Sequence, residues 1–301
     1  MPSARLNNGL EIPLVGLGTW KMLGLKKLRS TIGTAIEIGY RHIDTAMIYG
    51  NEKDIGIVLQ ELIREGRITR EELFITSKLW NSDHENPMAA IKRTLSDLQT
   101  EYLDLYLIHW PVTFRTMNGE VLTYDNNDPI IGNFDPVEVW KKMEHLVKMG
   151  YTKSIGVANF GIKNLTAILD NCTIIPAVSQ FECHPYLKQI QLIDFCQKNH
   201  IQVVSHTTLG SSDKPSYAPE MVDDPMIVAL AQKYNITPVQ LILSYITTKN
   251  ICVIPKSTNK EHLRENFNLV RLDQTTMDLI NSINKTYRYV DPMKFGENRF
   301  L

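Results

Sequence analysis

The sequence predicts an α/β fold: one (β/α)8 TIM barrel with an N-terminal β-hairpin plug and long loops at its C-terminal face. Two observations support this prediction. Eight short apolar runs alternate with segments of helical spacing along the 301 residues, and no linker interrupts the alternation. An apolar content of 43% is enough to fill one large core. We therefore expect residues 1–301 to form a single domain.

The first element along the chain is a hairpin that precedes the barrel. In residues 5–14, RLNNGLEIPL, the pair Asn8-Gly9 stands between apolar residues. An Asn-Gly pair in that setting is typical of a two-residue hairpin loop. We expect this hairpin to close the N-terminal end of the barrel.

The barrel strands are predicted from runs that are apolar and often β-branched. The segments between them show the apolar spacing of helices, and repeated strand–helix units of this kind form a parallel sheet. Eight such units close a barrel. The predicted strands lie within residues 14–20, 41–46, 73–80, 103–110, 153–160, 176–183, 202–208 and 251–257, and the helical spacing is clearest in residues 28–40, 52–66, 87–100, 135–150 and 192–200.

Two long insertions interrupt the regular alternation. Residues 111–135 follow the fourth predicted strand, and residues 210–224 follow the seventh. Barrel enzymes build their active sites from the loops that leave the C-terminal ends of the strands. We therefore expect these two loops to supply a wall of a substrate pocket and a cover for a cofactor.

Four polar residues stand at or just past the ends of neighbouring strands. Asp44, Lys78 and His109 lie in the last residues of the second, third and fourth strands, and Tyr49 follows the second. Because adjacent strands lie about 4.8 Å apart, these side chains come within mutual reach at one mouth of the barrel. A tyrosine, with a reference pKa of about 10, becomes a usable proton donor beside a fixed cation. The set predicts an acid that protonates a carbonyl oxygen.

The other strand ends add polar and aromatic groups around the same mouth. Amide, hydroxyl and ammonium groups form a polar ring, and three tryptophans indicate an aromatic-walled pocket for a carbonyl compound. The polar ring contains Thr19, Asn159, Gln180, Glu182, Ser205, His206, Lys256 and Ser257, and the tryptophans are Trp20, Trp80 and Trp110.

The composition argues against several classes of partner. A formal net charge of −1 provides no overall field that would recruit nucleic acid or a membrane surface. No apolar stretch approaches the roughly 18 residues that a membrane helix needs. Cys172, Cys183, Cys196 and Cys252 show no C-x-x-C spacing and are typical of reduced core cysteines. We expect a cytoplasmic monomer that acts on a small molecule and binds neither nucleic acid nor a membrane.

A set of motifs occurs along the chain in the order in which one enzyme family carries them. They are GLGTWK, YRHIDTAMIYGNE, ITSKLW, LIHWP, VANF, QFECHPYL and IPKST with a downstream ENF. With these motifs the chain resembles the aldo-keto reductases of the aldose reductase type over essentially its whole length. The resemblance implies reduction of an aldehyde or ketone by a nicotinamide cofactor, without metal. It implies that Tyr49 protonates the carbonyl oxygen, Lys78 lowers the pKa of that tyrosine, Asp44 pairs with Lys78, and His109 orients the carbonyl.

The same resemblance assigns residues to the cofactor, NADPH or NADP+, with NADH as an alternative. Asn159 and Gln180 match a pair that binds the nicotinamide carboxamide. The remaining implied contacts run from the nicotinamide ribose to the adenosine phosphate and the adenine. The implied cofactor residues are Thr19, Trp20, Asp44, Asn159, Gln180, His206, Leu209, Ser211, Lys256, Ser257, His262, Glu265 and Asn266, and the implied substrate residues are Trp20, Met47, Tyr49, Trp80, His109 and Trp110.

Three positions depart from the family pattern. Ala158 stands where a serine binds the carboxamide, and His206 stands where a tyrosine stacks on the nicotinamide ring. His262 replaces an arginine at the site of the 2′-phosphate, which removes a bidentate guanidinium and leaves Lys256 to recognise that group. We therefore expect only moderate discrimination between NADPH and NADH.

Two other functions fit part of the pattern. A lysine at a barrel strand end occurs in Schiff-base aldolases, although Lys78 beside a carboxylate stays protonated and Schiff-base chemistry needs a neutral amine. A cofactor-binding protein with little turnover would keep the barrel and the groove, and Ala158 and His206 leave room for that function. No G-x-G-x-x-G motif follows the first strand, so a dinucleotide would not bind here in the Rossmann manner.

Overall fold

The computed structural model describes residues 2–211 and 213–290. Its β-strands form an eight-stranded parallel sheet and two small antiparallel hairpins. The strands in the described residues are β1 (Ser3–Arg5), β2 (Glu11–Pro13), β3 (Leu17–Gly18), β4 (His42–Asp44), β5 (Phe74–Leu79), β6 (Leu105–Ile108), β7 (Thr116–Met117), β8 (Glu120–Val121), β9 (Ile155–Ala158), β10 (Val178–Glu182), β11 (Gln202–His206) and β12 (Cys252–Val253).

The eight parallel strands close into a barrel. Their order is β3-β4-β5-β6-β9-β10-β11-β12, so that successive barrel strands are neighbours in the sheet. Val15 and Val253 form a parallel bridge between the two ends of this sheet, and the Gly16 N–H donates to the Val253 carbonyl at 2.8 Å. The predicted (β/α)8 TIM barrel is confirmed, and each predicted strand segment contains one barrel strand.

Amphipathic helices surround the barrel, and their starts follow from the sequence. The side chains of Asn86, Asp135, Asp224 and Thr237 each cap a helix whose first residue is proline. Proline suits that position because its missing N–H would have had no partner within the helix. The helices in the described ranges are α1 (Leu25–Ile38), α2 (Glu52–Arg64), α3 (Pro87–Leu98), α4 (Pro136–Lys148), α5 (Ile162–Leu169), α6 (Ile190–Lys198), α7 (Pro225–Tyr234), α8 (Pro238–Thr248), α9 (Lys260–Phe267) and α10 (Gln274–Asn281).

The buried apolar residues form two layers. An outer layer lies between the helices and the outward faces of the strands. An inner cluster fills the N-terminal end of the barrel interior, where Leu105, Val178 and Val204 pack with Leu6 and Ile12 of the hairpin. The hairpin therefore closes this end of the barrel, as predicted. The polar strand-end residues lie at the opposite, C-terminal mouth of the barrel.

The hairpin loop is one residue longer than its Asn-Gly pair predicts. The Leu6 N–H donates to the Leu10 carbonyl at 2.8 Å, which leaves residues 7–9 as a three-residue loop. The loop glycine has φ 89°, a left-handed conformation that favours glycine. The Asn8 amide donates to the Ser154 hydroxyl at 2.8 Å, so this side chain anchors the hairpin to the barrel. The predicted two-residue loop is wrong.

Both long insertions leave the C-terminal ends of barrel strands, as the sequence predicts. Residues 111–135 follow β6 and contain the hairpin β7–β8, which the sequence did not predict. Residues 210–224 follow β11 and contain one short 3-10 helix, Met221–Asp223. These loops therefore rise around the mouth at which the polar strand ends meet.

All four cysteines carry free thiols, and three of them are buried. None of the described helices is both long and apolar enough to cross a bilayer. The described residues also contain no group of three or more side chains suited to hold a metal ion.

Candidate active site

A buried lysine joins the residues that were expected to form the acid. Lys78 lies in β5, Asp44 ends the neighbouring β4, and Tyr49 ends a 3-10 turn just beyond β4. The Lys78 ammonium donates to Asp44 Oδ1 at 2.5 Å, to the Thr45 carbonyl at 2.8 Å and to the Tyr49 hydroxyl at 3.3 Å. An ammonium has three N–H donors, and each has an acceptor here. The cation is therefore fixed in place with Tyr49 as one of its ligands.

The protonation states of this group follow from burial and from its own charges. Burial would lower the pKa of Lys78, but Asp44 and Tyr49 outweigh that effect and hold the pKa above its ordinary value. Burial raises the pKa of Tyr49, and the charge of Lys78 opposes the rise without cancelling it. Lys78 thus acts on Tyr49 in the expected direction, yet the net pKa shift of the tyrosine is upward. Near neutral pH the site holds an ammonium and a protonated phenol.

His109 follows β6 and completes the predicted set of four. Burial lowers the pKa of its imidazole well below the ordinary value, and the charge of Lys78 lowers it further. The ring is therefore neutral at pH 7. It lies with its centroid 5.8 Å from that of Tyr49. A neutral imidazole at this position can donate one hydrogen bond to a carbonyl oxygen.

Aromatic side chains line the mouth beside this group. The ring of Trp20, which is 46% exposed, lies 4.8 Å from Tyr49, and Trp80 lies 5.1 Å from His109. Phe114, from the first insertion, packs edge-on against Trp80 at 5.9 Å. The predicted substrate residues Met47 and Trp110 are half-buried at the same mouth. Sequence reasoning missed Phe114, since the path of a long loop has no periodic signal.

The two predicted carboxamide ligands, Asn159 and Gln180, also meet at this mouth. The Gln180 amide donates to Asp44 Oδ2 at 2.9 Å. The Asn159 amide donates to the backbone carbonyl of His109 at 3.0 Å, and its oxygen lies 2.8 Å from His206 Nε2. Thr19, a predicted cofactor residue, is buried and donates to the backbone carbonyl of Asp44 at 2.9 Å.

A carboxylate at the end of β10 holds the last described segment against the mouth. Glu182 accepts from the backbone N–H groups of Tyr289 at 2.6 Å and Val290 at 3.0 Å, and from His184 Nε2 at 2.9 Å. Burial alone would raise the pKa of Glu182, but the bonds from His184 and Tyr289 hold it below its ordinary value. The Tyr289 hydroxyl donates to the Pro219 carbonyl at 2.6 Å, which connects this segment to the second insertion. Sequence reasoning placed Glu182 in the polar ring without this partner.

The predicted phosphate and adenine residues gather around the start of α9. Asn259 caps this helix by accepting from the backbone of His262 at 3.1 Å, and the side chains of Lys256 and His262 are exposed nearby in the chain. Asn266 lies within α9 and is 3% exposed, and its side-chain oxygen has no hydrogen-bond partner among the described residues. Ser257 and Glu265 are half-buried in the same region.

The predicted cofactor residues Leu209 and Ser211 lie at the start of the second insertion, Leu209 just before it and Ser211 within it, and both are half-buried. An ion pair between Lys21 and Asp213, 2.5 Å long, joins this insertion to the loop that follows β3. The pair crosses the mouth between two loops, and sequence reasoning did not identify it, because exposed opposite charges are common.

The comparisons with known proteins agree with this geometry. The model of the aldo/keto reductase family matches residues 14–285. The chain belongs to the aldo/keto reductase family. Aldose reductase of Encephalitozoon cuniculi is 51% identical over 296 residues, which cover 98% of each chain. Aldo-keto reductase family 1 member A1 of Homo sapiens is 38% identical and aligns over 96% of this chain and 91% of its own. The structure of the aldose reductase from Schistosoma japonicum superposes with a TM-score of 0.90 at 34% identity, covering 98% of this chain and 96% of that one.

Aldo/keto reductases use nicotinamide cofactors, and the residues of this family member fit such a molecule. The unpartnered oxygen of Asn266 is an acceptor suited to the exocyclic amine of adenine. Lys256 is an exposed cation where the phosphate is expected, and the amides of Asn159 and Gln180 stand beside the acid group, which comprises Asp44, Tyr49, Lys78 and His109. The departures at Ala158 and His206 lie where the nicotinamide is expected, and the departure at His262 lies where the 2′-phosphate is expected.

Proposed function

We propose that this chain reduces an aldehyde or ketone to the alcohol, with NADPH as the hydride donor and Tyr49 as the proton donor. Its membership of the aldo/keto reductase family supports an oxidoreductase. One observation carries the finer proposal: the buried Lys78 ammonium is held by Asp44 and the Thr45 carbonyl with its third donor on the Tyr49 hydroxyl. This arrangement supplies a proton and stabilises the phenolate that remains.

In this mechanism the nicotinamide, when bound, supplies a hydride to the carbonyl carbon. His109, neutral and fixed beside Tyr49, donates a hydrogen bond to the carbonyl oxygen and orients it. Tyr49 releases its hydroxyl proton to that oxygen, and the resulting phenolate is stabilised by Lys78. Asp44 keeps Lys78 charged through the step. A proton from water then restores the phenol.

The same contacts disfavour a Schiff-base aldolase. That chemistry needs a neutral amine with a free lone pair, whereas Asp44 and Tyr49 raise the pKa of Lys78 and its three donors are used. The exposed Lys256 supports binding of a 2′-phosphate, and hence NADPH in preference to NADH, while His262 in place of an arginine keeps the expected discrimination moderate. The free cysteine thiols support a reducing compartment such as the cytoplasm. The monomeric state stays a prediction.

Rapid mixing with NADPH and an aromatic aldehyde tests the proposal. Tyr49→Phe should lower the rate of NADPH oxidation by about 10²-fold or more, the scale of general acid catalysis, while NADPH binds almost as before. Tyr102→Phe is the matched control, because Tyr102 precedes β6 at the opposite end of the barrel. Turnover at the wild-type rate in Tyr49→Phe would exclude this tyrosine as the acid.

A further inference from the structure

Two residues with unusual backbone conformations flank the mouth beside His109. Asn159 follows β9 with φ 63°, and Thr207 follows β11 with φ 55°. Residues other than glycine rarely adopt this left-handed region, because the Cβ atom comes too close to the backbone. Such positions persist where the surroundings hold them, and they occur often at functional sites. Here both backbones direct polar side chains toward His206.

A chain of three hydrogen bonds runs through His206. Thr207 Oγ1 lies 2.9 Å from His206 Nδ1, and His206 Nε2 lies 2.8 Å from Asn159 Oδ1. The Asn159 amide nitrogen then donates to the His109 backbone carbonyl at 3.0 Å. The chain therefore joins the end of β11 to the backbone of a residue in the acid group.

The direction of this chain follows from the acceptor at its end. A backbone carbonyl only accepts, so Asn159 must turn its NH2 group toward His109 and its oxygen toward His206. That oxygen also only accepts, so His206 must carry its proton on Nε2. The Thr207 hydroxyl then donates to the free Nδ1. A single tautomer satisfies all three bonds.

The charge state of His206 agrees with this assignment. Burial lowers its pKa to about 4, and the nearby charges of Glu182 and Asp44, which raise the pKa, and of Lys78 and Arg288, which lower it, leave the ring neutral near pH 7. A neutral imidazole with one proton can serve as the donor to Asn159 and the acceptor from Thr207 at once.

We propose that His206 is a positioning residue that holds the Asn159 amide in one orientation for the carboxamide of the nicotinamide. An amide oxygen has two lone pairs, so Asn159 Oδ1 can accept from His206 and from a carboxamide NH2 group. Ala158 offers no hydroxyl beside it, which leaves Asn159 and Gln180 as the predicted carboxamide ligands. The identity of the ligand rests on the proposed function, whereas the hydrogen-bond chain does not.

The tautomer can be measured in the protein without cofactor. Imidazole ¹⁵N chemical shifts should report a neutral ring protonated at Nε2 for His206, with no change between pH 5.5 and 8. Asn159→Leu, which removes the acceptor, should abolish the preference for that tautomer. A ring protonated at Nδ1, or a charged ring at pH 6, would overturn the proposal regardless of any catalytic activity.

Binding of two oxidised cofactors distinguishes a His206 that positions the Asn159 amide from a His206 that only stacks on the nicotinamide ring. The probes are NADP+ and its 3-acetylpyridine analogue, in which a methyl group replaces the carboxamide NH2. The measured quantity is the ratio of their dissociation constants, in which any effect of ring stacking or folding common to both cancels. His206→Phe keeps a flat ring without a donor and should lower the wild-type preference for NADP+ by about five- to tenfold, the scale of one hydrogen bond.

Two further variants complete the design. His206→Gln loses the ring but can present an NH2 group near the place of Nε2, so it should retain the preference for NADP+ within about twofold while weakening both cofactors. His145→Phe changes an exposed histidine of α4 and should leave both constants unchanged. An unchanged ratio in His206→Phe would contradict positioning and assign His206 to stacking alone. Failure of the wild type to bind either cofactor would refute the proposed function. The tautomer of His206, measured without cofactor, would then be the test of whether the hydrogen-bond chain exists.

Discussion

The acid group and the phosphate region lie at two ends of the predicted cofactor groove and are built in opposite ways. Around Lys78 every donor of the cation has a partner and the side chain is 1% exposed. At the start of α9, Lys256 and His262 are exposed, and neither forms an ion pair with another described residue. Proton transfer demands fixed distances, whereas recognition of a phosphate can rely on mobile charges close to water. Substitutions should therefore affect rate at one end and affinity at the other.

The largest effect on the rate of aldehyde reduction is expected from replacing the buried cation, Lys78. Lys78→Met should lower the rate of aldehyde reduction by about 10²-fold or more, because the phenolate loses its stabilising charge. Reduction needs a protonated Tyr49, so the rate should fall at high pH. Since Lys78 lowers the pKa of Tyr49, its removal should move that fall to still higher pH.

Lys26→Met, an exposed lysine of α1, is the control for Lys78→Met, and thermal unfolding monitors the fold. A pH–rate profile with its alkaline limb left in place would show that another group sets the pKa of the acid.

The next effect is on the pH dependence of stability and concerns Glu52, a buried carboxyl next to the acid group. Glu52 accepts from Ser77, the residue before Lys78, at 2.5 Å, and burial raises the pKa of Glu52 to about 7. A raised carboxyl pKa means that the folded state binds the proton more tightly. The contribution of Glu52 to stability is therefore complete below about pH 4.5 and is lost as the pH rises through 7.

Unfolding experiments at pH 5 and pH 8 measure this loss, which should be about 2.5 kcal/mol between those two pH values. Glu52→Gln should remove most of the difference, because the amide does not titrate. The control Glu101→Gln changes an exposed carboxylate and should preserve the wild-type pH dependence. Identical pH profiles for wild type and Glu52→Gln would contradict the raised pKa.

A smaller effect, a gain in NADPH affinity, is expected from a substitution at the exposed position 262 of α9. His262→Arg should tighten NADPH by about 1.5–3 kcal/mol if the guanidinium forms a charge-assisted bond to the 2′-phosphate, and it should scarcely change NADH binding.

Fluorescence titration with NADPH and NADH measures the effect of His262→Arg on each affinity. His145→Arg, which adds the same charge on α4, is the control. Equal tightening of NADPH and NADH would show that position 262 does not reach the 2′-phosphate.

The smallest effect is expected for the ion pair that crosses the mouth. Lys21 and Asp213 have side chains about half exposed, at 51% and 47%, and surface pairs of this kind are weak. Lys21→Met should speed NADP+ release by at most about fivefold, and high salt should reduce the difference between variant and wild type. Stopped-flow displacement measures the rate, with Lys27→Met of α1 as the control. A much larger, salt-independent change would mean that Lys21 contacts the cofactor itself.

The regular part of the molecule could be predicted from the sequence. The eight strand segments follow from short apolar runs, and barrel geometry alone brings the ends of β4, β5 and β6 together. The sequence alone therefore predicts that Asp44, Lys78 and His109 lie beside one another. Their roles, like those of the cofactor residues, stay predictions.

The irregular part could not be predicted, for identifiable physical reasons. The path of residues 111–135 and the contact of Phe114 with Trp80 depend on long-range loop packing, which leaves no periodic pattern. The partner of His206 depends on the left-handed backbone of Asn159, which no spacing of residue types indicates. The direction of the pKa shift of Tyr49 depends on how far burial exceeds the effect of Lys78, a balance that only the folded geometry determines.

The anchor formed by Glu182 has a consequence for protein engineering. This carboxylate holds the chain at Tyr289 and Val290 through backbone N–H groups, which every amino acid except proline possesses. The attachment therefore does not depend on the side chain at position 290, whereas proline there would remove one of the two backbone bonds. Position 290 lines a pocket with Trp110 and His206, so its side chain can be varied to reshape that pocket while the anchor to the barrel is kept.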